Sequence, residues 1–340
     1  MVARPGELYK RKRGYRHPPA DGSPSMDPRV KSMLPGKKLR VGAVSYLNSK
    51  PLIECLPASL PPHSHLSLDL PSRLADQLAG DQIDVGLIPV IEYFRHQTPA
   101  SAAHGESLPT SGETYRMVSD ACIACRGPVR SVRIFFRVPP ARVGSLAVDE
   151  GSRTSIALGR VLLHDRFGLT PELVELPIGQ DPHQTAADAV LVIGDRAMKP
   201  EIYTGFVENW DLGEEWFRQT QLPFVFAMWV GRASVTDPHL ASRLEMARQQ
   251  GLLRIPDICQ REAVRYQLSY ADCHDYLTRN LQFTLTPEAH RGLSLFQSKA
   301  IQLGLIHPQS RLEWVRSTVP TQPPVPWFGG DLYDHPKHSR

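Results

Sequence analysis

Two short polar stretches carry the residue types from which chemistry can be built. The first is Val44-Ser45-Tyr46-Leu47-Asn48-Ser49-Lys50-Pro51-Leu52, after the apolar run Leu39 to Ala43. The second is Asp149-Glu150-Gly151-Ser152-Arg153-Thr154-Ser155, after the strand-like Arg142 to Val148. Each reads as a strand running into a polar elbow and then a helix. Pro51 suits a helix's first turn, where its missing N–H is no loss. Such an elbow collects unpaired backbone N–H groups beside short hydroxyl and amide side chains, which is the makeup of an anion dock. Ser45 and Asn48 are the catalytic candidates, and Ser152, Arg153, Thr154 and Ser155 the binding candidates. Each has a plainer reading: Asn48 as an N-cap, Ser152 or Thr154 as cap and donor together, Arg153 as a surface charge.

Neither elbow contains a histidine, and the only acids are Asp149 and Glu150. Glu92 is a further acid or base candidate if its helix faces the same space, with a solvated helix face as the alternative. Asp195 follows an apolar strand and is placed for ligand contact or for holding Arg196. Cys122 offers either a weak donor or packing. Cys122 and Cys125 form a C-x-x-C inside a strand-like run with no second pair, so structural zinc, with its four ligands, is not expected. The 13 histidines show no metal-ligand spacing. No metal and no cofactor is expected.

The chain's 340 residues exceed the usual size of a single core, so two lobes are expected. Its 41% apolar and 22% charged content is that of a globular protein. No apolar run approaches the roughly 20 residues of a spanning helix, and nothing apolar follows the basic amino-terminal segment, so neither a membrane anchor nor a secretory signal is read. Five cysteines, an odd number without framework spacing, fit a reducing compartment, and the expected location is cytoplasmic. The net charge of +4 is concentrated in residues 1–32, leaving no basic excess on the body and no expected nucleic-acid partner.

Short apolar strands alternate with helical patterns from Leu39 onward, which predicts an α/β fold with mostly parallel sheets covered on both faces. The expected organisation is a disordered basic extension over 1–37, the first part of lobe one over 38–129, lobe two over 130–221, a return to lobe one with a helical end over 222–318, and a Pro-rich tail over 319–340. The Gly127-Pro128 step marks the first crossing, and Leu222 to Val230 reads as the returning strand. Ser72 is the expected N-cap of a helix stopped at Gly80. Asp237-Pro238 and Thr286-Pro287-Glu288 read as helix starts, and a surface loop is expected over Pro99 to Glu113. Two lobes with two crossings match a two-lobed, type 2 periplasmic-binding-protein-like fold with a ligand cleft between the lobes.

The strings SYLNSKPL, then Asp84 to Tyr93, then Gly127-Pro128-Val129-Arg130-Ser131-Val132, then Asp149 to Ser155, resemble in content and order the chorismate dehydratases of the futalosine route to menaquinone. The resemblance runs from about Leu39 to about Leu312. It implies the same two-lobed fold and conversion of the small molecule chorismate to 3-[(1-carboxyvinyl)oxy]benzoate and water. It also implies that a carboxylate of the substrate takes the C3 proton, in keeping with the scarcity of bases at the elbows. Two alternatives stay open: the related 1,4-dihydroxy-6-naphthoate synthase, whose first elbow looks different from SYLNSKPL, and a non-catalytic small-anion binding protein.

Overall fold

The computed structural model describes residues 37–97, 114–149, 151–177, 180–235 and 237–312. The amino-terminal extension, the expected loop over 99–113, Glu150 and the tail lie outside them. Strand β1 (Arg40–Val44) is buried on both faces and runs into a single 3₁₀ turn, Leu47–Ser49, followed by the one-turn helices α1 (Lys50–Ile53) and α2 (Leu56–Ser59). The expected elbow is therefore present, and its helix breaks at Glu54-Cys55 before a new turn begins at Leu56. Next come β2 (His65–Asp69), α3 (Pro71–Ala79), β3 (Val85–Pro89), α4 (Val90–Arg95) and the long β4 (Tyr115–Cys125). Ser72 lies inside α3, whose cap position is Leu70.

The second sheet receives β5 (Val132–Phe136), β6 (Ser145–Asp149), helix α5 (Arg153–Phe167), β7 (Glu172–Leu176), β8 (Ala189–Ile193) and β9 (Glu208–Asp211). Helix α5 buries Leu158, Val161, Leu162 and Leu163 and stops at Gly168, whose φ of 69° is the left-handed conformation that ends a helix without a Cβ penalty. Helix α6 (Leu212–Thr220) and strand β10 (Phe224–Arg232) carry the chain back. The remainder is α7 (Leu240–Leu253), α8 (Ile255–Arg265), α9 (Tyr270–Asp275), a π-helical turn at Tyr276–Asn280, β11 (Leu281–Thr284) and α10 (Pro287–Gln302). Thr286 caps α10, its hydroxyl accepting from the Ala289 N–H at 3.1 Å. Helix α7 starts three residues after the expected Asp237, and β11 is a strand where helix was expected.

The strand orders are β11-β4-β10-β3-β1-β2 and β7-β6-β8-β5-β9. Four of the nine pairings are parallel and five antiparallel, so the sheets are mixed and not mostly parallel. The cause is the crossing itself: β4, β5 and β10, the strands at the passages between sheets, enter antiparallel to their neighbours, and no local pattern encodes that direction. One apolar core runs through both sheets, with Trp216, Trp229, Phe224 and Phe296 buried within it. Among the described residues no helix is long and apolar enough to cross a membrane.

Candidate active site

The cleft between the two sheets holds about 550 Å³ of empty space, its open mouth included. That is a size suited to a small organic ligand. Val44, Ile123, Ile193 and Phe226 give it apolar walls, and Asn48, Ser131, Ser152, Thr154 and Ser155 supply the polar groups. The amino terminus of the 15-residue helix α5 opens into it, so the unpaired N–H groups of its first turn face the cavity. Both polar elbows of the sequence thus meet across one space.

Asn48 does not cap a helix. The residue at the cap position of α1 is Ser49, whose hydroxyl instead donates to the carbonyls of Val44 and Tyr46 at 2.5 and 2.9 Å. The Asn48 Oδ1 atom is buried, and so is the hydroxyl of Ser131, a residue only 2% exposed. The Tyr276 hydroxyl meets both from the π-helical turn and is their hydrogen-bonding neighbour. Burial pushes the Tyr276 phenol well above its ordinary range, so it stays protonated. Buried polar groups gathered at the edge of a cavity are the groups a polar ligand can complete.

The second elbow behaves differently from residue to residue. Ser152 occupies the N-cap position of α5 without a side-chain cap bond. The Thr154 hydroxyl accepts from the Ile91 N–H at 3.3 Å, joining the two lobes. Arg153 lines the cleft, but its guanidinium is held by Asp76 at 2.8 Å and Glu92 at 3.3 Å, both in the other lobe. Glu92 is buried, paired also with Arg95 at 2.6 Å, so it is neither a solvated face nor a member of the cleft lining. Asp149 accepts from the Gly151 N–H at 2.9 Å and from Arg196 at 2.6 Å, which shapes the elbow and occupies the arginine expected near Asp195.

Three candidates stand outside the lining. Ser45 lies between the lining residues Val44 and Tyr46 but is not part of the lining; its backbone carbonyl accepts from the Tyr266 hydroxyl at 3.2 Å. Cys122 neighbours the lining residue Ile123 but is itself packed in β4, and burial pushes its thiol up to about 12, so it remains an uncharged core residue. Asp195 abuts the flank of the first elbow, near Lys50 and the Leu47 N–H. Its neighbour Gly194, at φ 71°, leaves room for the Tyr46 ring, which would sit 3.4 Å from an added Cβ. Ser131, Tyr276 and Tyr46 were not singled out as site residues in the sequence. Ser131 had a signal, the Gly127 to Val132 string, whereas Tyr276 had none beyond being one tyrosine in a helical stretch.

Burial raises the Asp195 carboxyl to about 7, against the pull of Lys50, Arg265 and the Leu47 N–H. In the unfolded chain it ionises near 3.8. Between those values the folded protein holds a proton that the unfolded chain has lost. The resulting stability is complete below about pH 4 and is lost as pH rises through about 7. Asp195→Asn is expected to remove that fall. Urea unfolding of both proteins between pH 4 and 8 checks it, and parallel stability curves would refute it.

Among the described residues lining the cleft there is no His, Asp, Glu, Lys or Cys, and no three metal-ligating side chains cluster anywhere in them. A family model described as menaquinone biosynthesis matches residues 39–302. The chorismate dehydratase of Thermus thermophilus is 29% identical over 243 residues, which span 67% of this chain and 83% of that protein. Among solved structures, a protein of Archaeoglobus fulgidus superposes with a TM-score of 0.61 at 16% identity, over 79% of this chain and 98% of that one. The alkanesulfonate-binding protein SsuA of Xanthomonas axonopodis, bound to MOPS, follows with a TM-score of 0.52 at 14% identity, over 79% and 93% of the two chains. At such identities the structural likeness shows the fold alone, which is periplasmic-binding-protein-like.

Proposed function

We propose that this chain, which belongs to the menaquinone biosynthesis family, is a chorismate dehydratase, a carbon–oxygen lyase that yields 3-[(1-carboxyvinyl)oxy]benzoate and water on the futalosine route. The observation that carries the reading is a cleft with buried polar atoms at Asn48 and Ser131, a helix terminus for an anion, and no His, Asp, Glu, Lys or Cys in its described lining. Chorismate supplies what the cleft lacks. Its C3 hydrogen is activated through the ring carboxylate, and a carboxylate of the substrate itself takes that proton as the C4–O bond breaks. The electron pair of the C3–H bond enters the ring, the carboxyl group passes its new proton to the departing C4 hydroxyl, which leaves as water, and aromatisation drives the step.

The protein's share is position. The first turn of α5 and the hydroxyls of Ser152 and Ser155 would hold one carboxylate; Asn48 and Ser131 would orient the departing hydroxyl and its neighbour. Val44, Ile123, Ile193 and Phe226 enclose the ring and keep bulk water away. The five cysteines are all free, which supports a cytoplasmic place for this chemistry.

Purified protein treated with a chelator and given chorismate alone is expected to release the enolpyruvyl ether of 3-hydroxybenzoate. Chromatography against a no-enzyme control reads the outcome. Chorismate recovered intact after long incubation would remove the dehydratase reading and leave a small-anion binding protein, and loss of activity with chelator would remove the unassisted mechanism.

A further inference from the structure

We infer that Asp211 is a positioning residue that sets Ser131 in the cleft, an inference that rests on the reading of that cleft given above. Asp211 ends β9, is 4% exposed, and does not touch the cavity. Its carboxylate gathers both passages between the lobes. On the outward passage the Val129 N–H donates to Oδ1 at 2.9 Å and the Arg130 N–H to Oδ2 at 2.7 Å. On the return passage the Gly213 and Glu214 N–H groups donate to Oδ1 at 3.1 and 3.2 Å, which caps α6. Arg133 adds its charge at 3.7 Å. The two passages are pressed so closely that a Cβ on Gly213 would lie 2.6 Å from the Gly127 carbonyl oxygen.

What this clamp holds is an unfavourable turn. Arg130 sits at φ 62°, a left-handed conformation that costs a non-glycine residue energy and persists only where neighbours enforce it. The turn is completed by the Ser131 N–H donating to the Val129 carbonyl at 2.8 Å, and by the Gly194 N–H donating to the Ser131 carbonyl at 2.8 Å. With its backbone fixed on both sides, Ser131 lines the cavity between Val129 and Val132, its buried hydroxyl beside that of Tyr276. Burial favours a neutral Asp211, while the Val129, Arg130 and Glu214 N–H groups and the Arg133 charge favour the carboxylate. Only the carboxylate has acceptors for all four N–H groups. An asparagine offers one oxygen and turns an NH₂ toward a donor.

The test is a double-mutant cycle on kcat/KM for chorismate in the full chain. Ser131→Ala is expected to lose about a hundredfold and Asp211→Asn about tenfold or more, on the scale set by a misplaced reacting group. If Asp211 acts through Ser131, the double variant is no worse than Ser131→Ala within about twofold. Losses that multiply overturn the inference. Arg130→Gly added to Asp211→Asn is expected to restore several-fold of the loss, because glycine takes the positive φ without strain; a cap-only role for Asp211 would show no recovery.

Should Asp211→Asn not accumulate folded, Arg130→Pro asks the same question and leaves the α6 cap intact. Proline cannot adopt φ 62° and has no N–H for Asp211, so turnover is expected to fall to the Ser131→Ala level; wild-type turnover overturns the inference. If the unaltered protein itself leaves chorismate intact, the dehydratase reading fails first and the inference falls with it.

Discussion

Asn48→Ala is expected to lower chorismate turnover about a hundredfold while moving the melting temperature by no more than a few degrees, the scale of a reacting group displaced by an ångström. The separation of the two effects follows from its position in the 3₁₀ turn Leu47–Ser49. Asn48 makes no cap bond, and its side chain's neighbour is the single phenol of Tyr276, which keeps Ser131 as a partner when Asn48 is truncated. A lost cap would cost about 0.5–2 kcal/mol, and here even that is not at stake. Steady-state kinetics beside thermal denaturation decide the matter. A variant that melts early but turns over normally per folded molecule would return Asn48 to a structural role.

Gly251→Ala is expected to damage stability and catalysis together. Gly251 lies in α7 against the elbow helix, and a Cβ there would come within 1.9 Å of the Pro51 carbonyl oxygen and 2.8 Å of its carbon. Both are backbone atoms, so neither can rotate aside. One helix must move away from the other, and the elbow carrying Asn48 moves with it. Overpacking of this kind costs about 1–3 kcal/mol and more where backbone is the obstacle, which in a protein of this size is a melting-point drop of roughly 1–2 °C per kcal/mol. Gly292→Ala provides the comparison. Its Cβ would meet the Pro223 carbonyl oxygen at 2.0 Å, at the start of β10 and away from the elbow. Similar destabilisation with an ordinary per-molecule rate is expected for Gly292→Ala, and a depressed rate for Gly251→Ala. Equal rates in the two variants would show that the α7 contact does not govern the elbow.

The candidate site was partly legible before the fold was known. Asn48 and Ser152 to Ser155 could be found because each belongs to a strand–elbow–helix junction, a pattern written in consecutive residues. Where the neighbours came from elsewhere, local reading stopped. Arg153 looks free in its own segment, yet Asp76 and Glu92 claim it from the other lobe. Ser45 and Cys122 lie beside lining residues without joining them; Cys122 alternates away from Ile123 on β4, and which face of a strand meets the cleft depends on the layer opposite. Asp195 reads as a ligand contact and instead abuts the elbow near Lys50.

The sequence by itself determined the strands and helices that alternate from Leu39, the helix stops at Gly80 and Gly168, the start of α10 at Thr286, and the two polar junctions. These rest on side-chain periodicity, turn residues and caps, all of which act over a few neighbouring positions. Only the tertiary structure decided that the sheets are mixed, that β11 is a strand, and that Ser131 and Tyr276 join Asn48 at one point. It also decided that one carboxylate, Asp211, ties both passages between the lobes. Contacts between residues 80 or more positions apart are selected by burial and by the pairing of every buried polar group across the whole molecule, and no run of consecutive residues carries that selection.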